Sequence, residues 1–127
     1  GDIMLKRPLY HNVMLHDEYY QQYHEYFDYF IANYFENGYF EERVKETTEM
    51  ISPYVAKDPT AFISHEEYLI GVETIKNFSL LRSQSIRKQL NGEIPANIRG
   101  QAEDNSNFID ASSIWLPDMG EIADLKD

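Results

Sequence analysis

Residues 64–92 read SHEEYLIGVETIKNFSLLRSQSIRKQLNG, and this stretch decides the fold class. Ser64-His65-Glu66-Glu67 fits a capping box: the Ser64 hydroxyl can accept from the Glu67 amide while the Glu67 carboxylate reaches back to the Ser64 amide. Tyr68, Val72, Ile75, Phe78, Leu81, Ile86 and Leu90 then recur about once per turn, as one face of a helix requires. Arg87 and Lys88 put cations at the negative end of the macrodipole, and Gly92 follows as a natural C′ residue. The pattern predicts a helix over 65–91.

Working outward, Tyr19, Tyr23, Tyr26, Phe27, Phe30 and Tyr34 fall at spacings of three and four and predict a helix over 17–35, with Asp17 able to cap it. Asn37-Gly38 supplies left-handed residues to end it, and a further helix is expected over 39–57 with Phe40, Val44, Thr47, Ile51 and Tyr54 inward. Pro53 should kink or loosen its last turn, and Lys57-Asp58-Pro59 is the linker. Pro8 is a good first-turn residue for a shorter helix covering Leu9, Val13 and Met14. No stretch alternates as a strand does, so the fold class is all-α, with Phe27, Phe30, Val44, Ile51, Val72 and Ile75 as the expected core. Residues 1–92 read as a helical subdomain and 93–127 as an acidic, partly apolar tail, with eight carboxylates against Arg99 and Lys126. Phe108, Ile109, Ile114, Trp115, Leu116, Met119 and Ile122 are too apolar for a free linker, so residues near 108–122 should dock on the helical body or on a neighbouring molecule, Trp115 included, while 96–107 stay mobile.

A chain of 127 residues, 43% apolar and 14% aromatic, buries one modest core. Its formal charge of −11 argues against nucleic acid, whose phosphates are bound by clustered Lys and Arg, and favours basic proteins as charged partners. There is no cysteine, which excludes disulfides and thiolate metal sites. No apolar run is long enough for a membrane span. The opening Gly-Asp-Ile reads as a cut segment with a cleavage-scar glycine, its targeting signal left behind.

Several constellations hint at chemistry, and each has a plainer reading. Gln21-x-x-His24 resembles half of a di-iron Glu-x-x-His signature, but with Gln for Glu and no second copy. His65-Glu66 opens like a zinc-protease motif, yet Leu69 stands where the second His is needed. His11 and His16 flank an expected turn and read as solvated. Asp118-Met119-Gly120 looks like the magnesium-binding Asp-Phe-Gly of protein kinases without the catalytic loop before it or an activation segment after it. Ser83 and Ser85 have no adjacent His to serve as base. The tyrosines from Tyr19 to Tyr39 could form an aromatic platform for sugar or peptide, but packing with hydroxyls at the rim is the plainer reading. No catalytic, cofactor-binding or metal-ligating residue is assigned.

Residues 40–92 nevertheless carry a set of separated pieces in a specific order: Arg43, Ile51-Ser52-Pro53-Tyr54-Val55, Lys57-Asp58-Pro59-Thr60, Glu66-Glu67-Tyr68, Gly71-Val72-Glu73-Thr74-Ile75, Arg82, Ser85-Ile86, Gln89-Leu90 and Gly92. With Arg7-Pro8-Leu9 and Glu18-Tyr19 upstream, they resemble the C-terminal helical part of the CotH family, spore-coat protein H-like atypical secretory protein kinases. Ile109-Asp110-Ala111-Ser112 and Asp118-Met119-Gly120 resemble the trailing segment of some bacterial members. The resemblance implies part of the larger lobe of a kinase-like fold. It implies a parent that uses ATP and Mg to phosphorylate secreted or spore-coat proteins, in the spore coat or at the cell surface. None of the family's nucleotide or catalytic motifs maps onto this chain, which is expected to be a noncatalytic subdomain supporting the catalytic lobe. The alternative is a binding or assembly module of a coat or extracellular surface protein. The implied partners are the remainder of the parent lobe, basic coat or surface proteins, and a second copy meeting it through an exposed apolar patch.

Overall fold

The computed structural model describes residues 6–120, and among them there are helices and turns but no strand. The helices are α1 (Pro8–Met14), α2 (Asp17–Phe30) running into a π-helical segment (Ile31–Glu36), α3 (Tyr39–Val55), α4 (His65–Leu90) and α5 (Ile98–Glu103), with a 3-10 turn at Leu116–Met119. The all-α reading holds. The described residues divide into two compact units, 6–37 with 82–109 and 38–81 with 110–120.

In the first unit, α1 begins at Pro8 as expected, where a missing N–H costs nothing. The start of α2 differs: Asp17 is its first residue, His16 stands at the N-cap, and no side chain caps it. Asp17 and Glu18 instead act through their charge in the first turn. The α-helix expected to reach residue 35 stops at Phe30 and widens into the π segment. There the Asn33 amide donates to the Tyr29 carbonyl at 2.8 Å and the Asn37 amide to the Asn33 carbonyl at 2.7 Å, each competing with the backbone for an i−4 acceptor. Widening adds roughly one residue to the turn. That rotation brings Asp28 and Glu36 onto one side, where the Arg87 guanidinium bridges them. Its Nε lies 2.7 Å from Glu36 Oε1 and a terminal nitrogen 3.1 Å from Oε2. The bonds to Glu36 first and Asp28 second raise the Arg87 pKa further above its usual value. Ile31 opens the π segment and is 1% exposed.

Helix α4 ends as its sequence indicates. Gly92 has φ +76°, its amide donates to the Gln89 carbonyl, and the Glu93 amide closes back on the Lys88 carbonyl at 2.8 Å. The turn delivers Ile94, 2% exposed, into the unit. Ile31 and Ile94 are thus its buried aliphatics. Phe27 is half-buried, whereas Phe30, expected inside, is exposed because the change of helical pitch begins just after it. Residues 96–107, expected to be mobile, carry α5, capped by Asn97 Oδ1 accepting from the Gly100 amide at 2.7 Å. Lys88 Nζ donates to the Asn107 carbonyl, and the Asn107 amide to the Glu93 carbonyl.

The second unit contains α3 and the first part of α4. Gly38, with φ +82°, precedes α3, and Pro53 is accommodated inside it. Asp58 Oδ1 accepts from both the amide and the hydroxyl of Thr60, which shapes the linker. Ser52 Oγ meets His65 Nε2 at 2.6 Å, tying the end of α3 to the start of α4. The capping box is present: Glu67 N donates to Ser64 Oγ at 3.1 Å, and the Ser64 amide and hydroxyl each donate to Glu67 Oε2 at 2.7 Å. Those bonds, the amide first, lower the Glu67 pKa from its usual 4.5. Val44 and Val72 are half-buried, but Ile51 and Ile75, expected in the core, are exposed, Ile75 at 47%. Periodicity marks a face for burial without saying that this chain supplies the cover.

The tail does lie on the helix, by a different contact from the one expected. A Cβ on Gly71 would sit 3.1 Å from the Asp118 carbonyl oxygen, so it is the glycine that lets the 3-10 turn approach. Ile114 and Met119 are half-buried, while Trp115 is 67% exposed and is not the anchor. Ile122 falls outside the described residues.

Three outcomes follow from these contacts. Replacing Arg87 by Met should cost about 1 kcal/mol, given how exposed the two carboxylates are, and less as salt rises. Lysine should not restore it, because a point ammonium cannot fork between two carboxylates; urea unfolding at low and high salt measures both variants. Ser64→Ala should cost about 1 kcal/mol at neutral pH. Since a lowered carboxyl pKa stabilises above its unfolded value and is lost in acid, that difference should shrink as pH falls below 4.5, followed by thermal unfolding. Gly71→Ala adds helix propensity of up to about 1 kcal/mol but crowds a backbone oxygen. Global stability should hold while the Asp118 and Gly120 amides, which close the 3-10 turn, exchange faster in hydrogen-exchange measurements.

Candidate functional site

The first unit holds a cleft of about 240 Å³. Helix α2 forms one wall with Tyr20, Tyr23, His24 and Phe27, at spacings of three and four that put them on one face. The last turns of α4 form the opposite wall through Arg82, Ile86, Gln89 and Leu90, also one helical face, and α1 adds Tyr10. The rings hold one another. Tyr20 and His24 lie 4.4 Å apart between centroids, Tyr23 and Phe27 5.1 Å, and Tyr10 meets Tyr23 edge-on at 6.3 Å. Partial burial, and after it the neighbouring Tyr10, raises the Tyr23 pKa. Arg82 is exposed at the cleft, and among the described residues it has no ion-pair partner.

The other candidates lie apart from this cleft. Gln21 is exposed and does not line it, though His24 does. His11 and His16 do flank the turn between α1 and α2, but His11, inside α1, is half-buried and not solvated, while His16 is exposed. His65 is engaged with Ser52 and lies face to face with Tyr68 at 6.0 Å. Ser83 is buried, and Ser85 accepts from Gln89. Asp118 belongs to the 3-10 turn over Gly71. Among the described residues no group of three or more His, Cys, Asp or Glu is placed to hold a metal ion, and no helix is long and apolar enough to cross a membrane.

The tyrosine-rich segment divides its roles. Tyr23 and Phe27 face the cleft, Phe30, Tyr34 and Phe35 pack on one another around the π turn, and Tyr26 and Tyr29 are open to solvent. Tyr39 carries the Arg43 guanidinium over its ring at 5.3 Å. Tyr10, Arg82 and Gln89 were not read as site residues from the sequence. The usable signal was a matched pair of faces: residues 20, 23, 24 and 27 on one helix, and 82, 86, 89 and 90 on the other.

No curated protein and no solved structure matches the chain in a comparison with known proteins. The model of a protein family described as CotH kinase protein does match, over residues 1–86, from ahead of α1 to the second residue of the cleft face on α4. Spanning 86 of 127 residues, the match shows that this chain belongs to the CotH kinase protein family.

Proposed function

We propose that the chain serves as a noncatalytic helical subdomain of a CotH-like protein kinase and buttresses the lobe that holds nucleotide. The observation that carries this reading is the state of its helical faces. Phe30, Ile51, Ile75 and Phe78 fall on the stripes that helical periodicity marks for burial, and all four are exposed here. Such faces suit packing against further protein. The family's chemistry would be supplied by that further protein, which would hold ATP and Mg and phosphorylate secreted or spore-coat substrates in the coat or at the cell surface. The chain itself contains no glycine-rich phosphate loop and no His-Arg-Asp catalytic loop.

A second reading, an assembly module for a coat or surface protein, draws on one specific feature. From residue 17 to 36, all in the first unit, the sequence has five carboxylates and no Lys or Arg, with several tyrosines open to solvent, a surface suited to a basic protein partner. The two readings separate experimentally. Calorimetric titration of residues 1–127 with ATP and magnesium should give no saturable heat, and low-micromolar binding would overturn the noncatalytic assignment. In the full-length parent, Ile75→Asp should lower phosphoryl transfer several-fold if the exposed stripe supports the catalytic lobe. Unchanged transfer would favour the assembly module.

A further inference from the structure

The cleft in the first unit has a composition that its surroundings do not. The chain has 22 carboxylates to 11 Lys and Arg, yet none of the residues lining the cleft is Asp or Glu. Its single fixed cation, Arg82, has no carboxylate partner among the described residues. Arg87, five residues further along α4, is by contrast held by two carboxylates at once. Gln89, His24 and the tyrosines line the same cleft among aliphatic groups, with the Gln89 amide donating to Ser85 and Tyr23 hydrogen-bonded to Tyr10. Few polar groups converging in an apolar concavity is the usual design of a small-ligand site.

Size and charge narrow the ligand. At about 240 Å³ the cleft lies near the ~300 Å³ lower end of ligand pockets, a size that one ring or one branched side chain fills. One arginine balances one negative charge, and a formal charge of −11 on the chain works against a dianion such as a phosphate monoester. A guanidinium fork matches a carboxylate in two parallel hydrogen bonds, and the Tyr20 and Tyr23 rings offer faces for a flat apolar body. We propose that this cleft binds a monocarboxylate carried on an aromatic or branched apolar group, with Arg82 holding the carboxylate and the α2 rings holding the body. A free carboxylic acid and the C-terminus of a polypeptide ending in Phe both present this chemistry. The inference stands apart from the buttress reading, since the cleft uses none of the four exposed residues that carry that reading and involves no phosphoryl transfer.

The test uses the whole chain and NMR, with phenylacetate, its neutral isostere phenylacetamide, and a short peptide ending in Phe with either a free or an amidated C-terminus. At about 10 mM ligand, enough to saturate a Kd near 1 mM, phenylacetate or the free-acid peptide should shift the Arg82 Nε–H and His24 ring signals saturably. The matching amide should bind at least about tenfold more weakly, a difference of about 1.4 kcal/mol. Arg82→Gln should weaken the acid to the level of the amide, while Arg99→Gln, whose side chain pairs with Glu103 outside the cleft, should change nothing. Binding of phenylacetate alone identifies a free acid as the ligand type, and binding of the free-acid peptide alone identifies a chain terminus. Equal binding of acid and amide, acid binding unchanged in Arg82→Gln, or no saturable shift with either acid would overturn the proposal. The acid and amide comparison on the unaltered chain decides the matter even if the Arg82 variant does not fold.

Discussion

The helices of the first unit are joined by a guanidinium held by two carboxylates that lie eight residues apart. In an unbroken α-helix that separation puts two residues well off one line, since two turns take 7.2 residues. The π segment after Phe30 takes up the difference, so Arg87 can reach Asp28 and Glu36 together. The same change of pitch turns Ile31 fully inward and leaves Phe30 outside. A π turn carries poorer hydrogen bonds than an α turn and persists where other contacts hold it. Here the candidates are the Asn33 and Asn37 side chains on its acceptors, the stacked Phe30 and Tyr34 rings with Phe35 edge-on to both, and the charge clamp itself.

The second unit is stabilised by smaller, more local devices. A capping box starts α4, an Asx turn orders the linker, and the Ser52 and His65 pair joins the helices across it. Gly71 has no side chain where the Asp118 carbonyl arrives. Each of these is a short-range consequence of residue chemistry. None requires a large apolar core, which agrees with how much aliphatic surface this unit leaves open.

The contrast explains what could be read in advance. The bounds of α3 and α4 were legible because their signals are local: Ser64 with Glu67 at one end, Gly92 at the other, and Gly38 ahead of Tyr39. The π segment was not legible, because asparagine back-bonding and a distant arginine leave the aromatic spacing looking like an ordinary helix. Ile94 was missed since it follows a helix end, where no period applies. Ile51 and Ile75 were assigned to the interior because periodicity gives the direction of a face and not its depth. Trp115 is marked for burial by its apolar character, whereas the contact that seats its segment is a carbonyl oxygen over a glycine. The cleft draws on three separate stretches of chain, so its lack of carboxylates shows only once they are brought together.

The Arg87 bridge spans 59 residues of sequence to Asp28 and 51 to Glu36. On a ribosome, the tyrosine-rich α2 therefore emerges long before the helix face that covers it has been made. At about 5–20 residues per second the interval is on the order of several seconds. Throughout that time α2 presents rings and carboxylates together, and the negative charges lie beside the apolar surface most prone to stick. Like charge on each such segment opposes the close approach of another until Arg87 arrives to join it.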